Sequence, residues 1–85
     1  MKWNDVKATY PNEWVVFEAI QAHSEDNERI IDEIAVIDRF EDSMEALNRH
    51  AELHKLHSTR EYYFFHTSRD ELKIKEQRWA GIRSL

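Results

Sequence analysis

The sequence contains no cysteine and, in 85 residues, a single glycine and a single proline. Without cysteine there is no disulfide to staple the chain, no thiolate nucleophile and no sulfur ligand for a metal. With Gly81 as the only glycine, a phosphate-cradling loop is excluded, and so is the sharp elbow that presents a catalytic serine, because each needs several glycines at fixed spacing. The same shortage leaves no flexible linker and no low-complexity tract. No apolar run approaches the ~20 residues that a membrane-spanning helix needs. Met1-Lys2-Trp3-Asn4-Asp5 is polar and charged where a secretory leader would turn apolar, so a cytoplasmic location and no membrane partner are the expectation.

Positive charge is also in short supply: 12 Lys and Arg against 17 Asp and Glu give a formal net charge of −5. Nucleic-acid binding rests on a positive surface that follows phosphates, so the balance argues against it. The charge is uneven. Ten acids face four bases between His23 and His57, while six bases face four acids from Ser58 to Leu85. Either these are two solvated faces, or tail and middle attract each other within a chain or between chains.

What the chain does have is core material: 41% hydrophobic residues and ten aromatic rings. The length suits one domain over residues 1–85, small enough that association would help to stabilise it. Pro11 disfavours helix at the residue before it, so a short helix over Trp3–Tyr10 ends there. Trp14 to Ala22 is rich in β-branched and aromatic residues and predicts a strand, followed by a polar turn over His23–Asn27. Arg29 to Phe40 predicts a second strand antiparallel to the first, with Ile30, Ile34, Val36 and Phe40 on one side; a helix over 28–35 is the rival.

Asp42 is a helix N-cap, and a helix over 43–57 follows, with Met44, Leu47, Ala51 and His54 spaced to lie on the sheet. Glu61 to Thr67 is the clearest strand. Its four consecutive aromatics, Tyr62 to Phe65, point alternately to opposite faces, so both faces need cover. After it, a short turn at 69–72 and extended chain are expected. The fold class is therefore α+β: a small antiparallel sheet with one main helix on one face, in the order α-β-β-α-β, with room for an extra C-terminal strand.

Chemistry-bearing residues are few. His50, His54 and His57 share one side of the predicted helix, and an i, i+4 histidine pair can chelate a metal. The metalloprotease motif is not met, since Ala51 stands where its glutamate belongs. The plainer reading is polar residues at a helix margin, and no metal or cofactor is expected. Asp32, Glu33 and Asp38 read as the wet edge of a sheet rather than an acid/base cluster. His66-Thr67-Ser68-Arg69, after the aromatic strand, is the polar cluster most worth inspecting.

The phrases Tyr10-Pro11-x-x-Trp14-Val15, Phe65-His66-Thr67-Ser68-Arg69-x-x-Leu72 and Trp79-x-Gly81-Ile82-Arg83 resemble those of small uncharacterised bacterial proteins of similar length. The resemblance spans nearly the whole chain. It implies a compact strand-strand-helix-strand domain of bacterial cytosolic origin and no particular reaction.

The expectation is a protein-interaction domain rather than an enzyme. One helix cannot cover two aromatic faces, so the second cover is the N-terminal helix with Trp3, the C-terminal segment with Trp79 and Ile82, or another copy. The preferred expectation is that an uncovered sheet face or the tail meets a second copy, making a homodimer, or a different protein. Tyr62, Phe64, Trp79, Ile82 and Arg83 are the candidate partner-binding residues. A regulatory or antitoxin-like partner of a basic protein fits this description. The alternatives are a metal-binding protein using His50, His54 and His57, and a nucleic-acid regulator using the basic segment from Lys73 to Arg83.

Overall fold

The computed structural model describes residues 1–75. Trp79, Ile82 and Arg83, and most of the basic segment, lie outside the described residues. The elements run α1 (Trp3–Thr9), β1 (Trp14–Glu25), β2 (Glu28–Phe40), α2 (Ser43–Leu56), β3 (Tyr62–His66) and β4 (Ile74–Lys75). The strands form one open antiparallel sheet in the order β3-β1-β2-β4, so the expected α+β class holds. None of the described helices is long and apolar enough to cross a membrane.

The β1–β2 hairpin is longer than the predicted strand, because only two residues make its turn. Asp26 and Asn27 both have positive φ, at 50° and 65°, and Glu25 pairs with Glu28. Two left-handed residues form the tight turn whose twist matches a hairpin, and Asp and Asn tolerate that conformation better than other residues with a β-carbon. His23, Ser24 and Glu25 therefore continue β1 instead of forming a loop.

The single side expected for Ile30, Ile34, Val36 and Phe40 does not survive, since the β1–β2 register slips between Val16 and Phe17 and twice more between Ala19 and Ala22. Val16 pairs with Asp38 while Phe17 pairs with Val36, which leaves Ile37 as the extra residue of a β-bulge. Ile34 and Val36 consequently pack on the face that holds Val15 and Phe17, whereas Phe40 packs on the face that holds Val16. The bulge residues Ile20 and Ile37 are both exposed.

The two faces of β3 are covered by two different helices. Val6 of α1 is fully buried against Val15, Phe17 and Ile34, with Trp3, Tyr63, Phe65 and Leu72 around them. α1 is held down by Trp3 Nε1, which donates to the Arg69 carbonyl at 2.9 Å, and by Lys7 Nζ, which donates to the Asp70 carbonyl at 2.9 Å. α2 covers the opposite face, where Ala46 and Leu53 pack on Val16, Tyr62, Trp14, Phe40 and Phe64. Asp42 caps it, its Oδ1 accepting from Met44 N.

The stripe predicted to lie on the sheet is turned outward. Met44, Leu47, Ala51 and His54 are exposed, and Ala46, Arg49, His50 and Leu53 face the strands. Both sets have three-to-four spacing, so periodicity alone does not choose between them. The sheet decides: Trp14, Tyr62 and Phe64 already fill the space above it, and a helix approaching that surface fits with the small Ala46 toward the rings.

Candidate functional site

Strand β3 is an outer strand of the sheet, with β1 on one side and no strand on the other among the described residues. Two bonds give the phase of its ladder: Ala19 N donates to Glu61 O and Thr67 N donates to Glu13 O, both at 2.8 Å. Odd-numbered residues therefore bond to β1, and the backbones of Tyr62, Phe64 and His66 point away from it. Two of these outward carbonyls have a single local donor: Tyr62 O takes His50 Nε2 at 3.0 Å, and His66 O takes Arg69 N at 3.2 Å. The N–H groups of Tyr62, Phe64 and His66, and the Phe64 carbonyl, have no partner among the described residues.

An open edge of this kind is usually blunted by charge, proline or a bulge. β3 carries none of these: it reads Tyr-Tyr-Phe-Phe-His and pairs with β1 in unbroken register. Beside it runs the outward flank of α2. His50 reaches the β3 backbone, while Arg49, one residue back, binds Asp38 of β2 at 2.7 Å, so the helix turns its His50 side toward the edge. Leu47 and His54, three residues before and four after His50, lie along that side. Leu47 is 41% exposed and Met44 57% exposed. The outer edge of β3 and the side of α2 that carries Leu47, His50 and His54 are therefore neighbours.

The expected partner residues are placed differently from one another. Tyr62 is 6% exposed and Phe64 half-buried, both beneath α2. The face expected to be left for a partner is covered within the chain for the Tyr62 ring, because α2 lies on it; what these two residues present outward is backbone. Sequence reasoning missed the edge because strand order, which puts β3 outside β1, is not written in local pattern. The signal that was present is the absence of any charged side chain in Tyr62–His66.

The other candidates resolve into structural parts. Thr67 is 5% exposed, and its hydroxyl donates to Tyr10 O at 2.7 Å while accepting from Glu13 N at 3.0 Å. It staples the α1–β1 connection, where Asn12 has φ 57°, to the end of β3. His66 Nδ1 lies 2.8 Å from Ser68 Oγ, and the Arg69 guanidinium sits 5.1 Å from the centre of the Phe65 ring. Asp32 pairs with His23, Asp38 with Arg49 and Glu33 with the Met1 amino group, so the three acids point to separate partners. His50 and His54 are neighbours with ring centres 6.4 Å apart, and His57 is the C-cap. Among the described residues of one chain, no group of three or more His, Cys, Asp or Glu side chains is placed to hold a metal ion.

A polar triad ties the hairpin to β3. Arg29 donates from Nε and Nη2 to the two Glu61 oxygens, both at 2.8 Å, and the Tyr63 hydroxyl donates to Glu61 Oε2 at 2.5 Å. Arg29 holds the Glu61 carboxyl below the usual carboxylate range, outweighing the opposing effect of burial. Burial, followed by the neighbouring carboxylate, pushes the Tyr63 hydroxyl well above the ordinary phenol range, so it remains a donor. A carboxylate with a lowered folded-state pKa stabilises the fold above its unfolded value of about 4.5 and loses that contribution as pH falls through the folded value. Glu61→Gln is expected to lower stability by about 1 kcal/mol near pH 7, with the gap to the parent closing toward pH 3. Urea unfolding at both pH values checks this, and a gap independent of pH overturns it.

Comparison with protein-family models, with curated proteins and with solved structures found no match, so function is argued from this chain's own surface.

Proposed function

We propose that this protein is a small interaction domain that self-associates through the outer edge of β3 and the adjoining flank of α2. The observation that carries the reading is the unblunted edge: three outward backbone N–H groups and a carbonyl that have no partner among the described residues, beside the side of α2 that carries exposed Leu47. The edge is self-complementary. Antiparallel pairing about Phe64 sets Phe64 against Phe64 of the second copy and Tyr62 against His66, which gives every outward N–H a carbonyl. Tyr62 O and His66 O keep their local donors, because a carbonyl has two lone pairs. The register sets no charge against a like charge: Glu61 faces Thr67 and Arg60 faces Ser68.

The two-fold axis of such a pair stands perpendicular to the sheet, so both copies of α2 lie on the same face. A five-residue strand edge is about 17 Å long and by itself too small for a stable pair. Adding the flank of a helix about 21 Å long brings the contact to the order of 600–800 Å² per chain, near the lower end for specific complexes. Light scattering of metal-free protein at about 100 µM is expected to give twice the 10.3 kDa chain mass. The amides of Tyr62, Phe64 and His66 should gain exchange protection with concentration, while those of Tyr63 and Phe65 are protected throughout. Leu47→Glu, at an exposed position, should weaken the dimer by at least tenfold and change monomer stability by less than about 0.5 kcal/mol. A monomer at the higher concentration, with those three amides unprotected, overturns the reading.

A further inference from the structure

We infer that association through β3 completes a transition-metal site that one chain lacks, built from His50 and His54 of one copy and His66 of the other. The inference rests on the β3-edge reading and adds a ligand to that surface. Within one chain His66 stands four residues along the strand from Tyr62, about 13 Å away. It packs at the Trp14 end, with ring centres 5.2 Å apart, while His50 packs on Phe64 and bonds to Tyr62. Pairing about Phe64 removes that separation, because it places His66 of the second copy directly opposite Tyr62, about 5.5 Å away between Cα atoms. Paired residues share a face, and the face is the one α2 covers. The incoming imidazole therefore arrives beside His50 and His54, and symmetry repeats the arrangement on the other side of the axis.

The hydrogen bond that His50 already makes suits this use. A carbonyl only accepts, so the contact to Tyr62 O assigns the proton to His50 Nε2 and leaves Nδ1 as a lone pair in the neutral ring. An N–H to backbone carbonyl bond of this kind fixes the tautomer of many metal-bound histidines. Ser68 N donates to His66 Nδ1 at 3.1 Å, and the Ser68 hydroxyl lies 2.8 Å from the same nitrogen, so without metal Nδ1 accepts and the neutral ring carries its proton on Nε2. Metal at Nε2 requires the other tautomer, in which Nδ1 donates to the Ser68 hydroxyl in place of accepting from Ser68 N. His50 and His54 are one turn apart with ring centres 6.4 Å apart, the i, i+4 spacing that lets two histidines reach one ion once their rings turn toward it. Three imidazole donors with a fourth, open position suit late first-row divalent ions, and zinc is one that takes such a three-histidine set.

The test uses untagged, chelator-treated protein and zinc chloride alone. Calorimetry is expected to give one zinc per chain, and sedimentation a dimer dissociation constant lowered at least tenfold by saturating zinc. His54→Ala and His66→Ala should each lose the zinc effect, read for each variant as the ratio of its own dimer dissociation constants without and with zinc. Mixed in equal amounts, they should recover about a quarter of the zinc bound by the parent, because half of the randomly exchanged dimers are mixed and each of those has one intact site of two, made from two chains. Zinc binding that His66→Ala leaves unchanged, or no recovery in the mixture, overturns the inter-chain site. A dimer that ignores zinc overturns this inference and leaves the edge reading standing; a monomer with and without zinc overturns both.

Discussion

Phe17→Ala is expected to leave the protein largely unfolded. Phe17 is completely buried at the middle of β1, the strand that pairs with both β2 and β3. Its ring meets Trp3 of α1 at 6.2 Å and Tyr63 and Phe65 of β3 at 5.9 Å and 6.3 Å between ring centres. Truncating such a ring costs about 3–5 kcal/mol in lost burial and residual cavity. A domain of this size has on the order of 4–12 kcal/mol of stability in total, so the loss takes much or all of it. α1 should detach first, since Trp3 loses its seat on Phe17. Phe17→Leu keeps most of the volume and should cost about 1.5 kcal/mol or less. Urea titration followed by circular dichroism and tryptophan fluorescence separates the two variants. An alanine variant within about 1 kcal/mol of the parent would show that the core does not centre on Phe17.

Thr67→Val is the second large effect, and it acts through polarity rather than volume. The two side chains have nearly the same shape, so packing is retained while both hydroxyl bonds go. Tyr10 O loses its donor and Glu13 N its acceptor, at a site where Thr67 itself is 5% exposed. Leaving buried backbone groups unsatisfied costs about 1–3 kcal/mol, and here two are affected, so a loss of about 2–3 kcal/mol is expected. Thr67→Ser keeps the hydroxyl and should recover most of it. Equal losses for valine and serine would mean that the methyl group matters and the staple does not. The distinction bears on the proposed surface, because Thr67 anchors the end of β3 to the α1–β1 connection and so keeps the edge straight.

The local parts of the fold were legible. Pro11 limits α1, Asp42 starts α2, and the β-branched and aromatic runs of Trp14–Ala22 and Tyr62–Phe65 are strands, because each depends on backbone sterics or on contacts within a few residues. The turn at Asp26-Asn27 was half legible: its polarity marked a turn, but its two-residue length follows from two left-handed residues in succession. The face of α2 was not legible. Met44, Leu47 and Ala51 are spaced as well as Ala46, His50 and Leu53, and only the rings of Trp14, Tyr62 and Phe64 beneath the helix select the second set. Nor were the bulges, which move Phe40 to the opposite face from Val36.

By itself, then, the sequence determined the kinds of elements, their order and the need to cover two aromatic faces, since these follow from propensity, capping and the two-residue alternation of a strand. Tertiary structure alone decided which of the candidate covers, α1, supplies the second one, that β3 lies outside β1, and that the His50 side of α2 lies beside the outer edge of β3. These depend on which distant segments meet and how much room each leaves. A residue's own neighbours in the chain carry no record of that, and a surface made from a strand edge and a helix flank exists only once the two have packed.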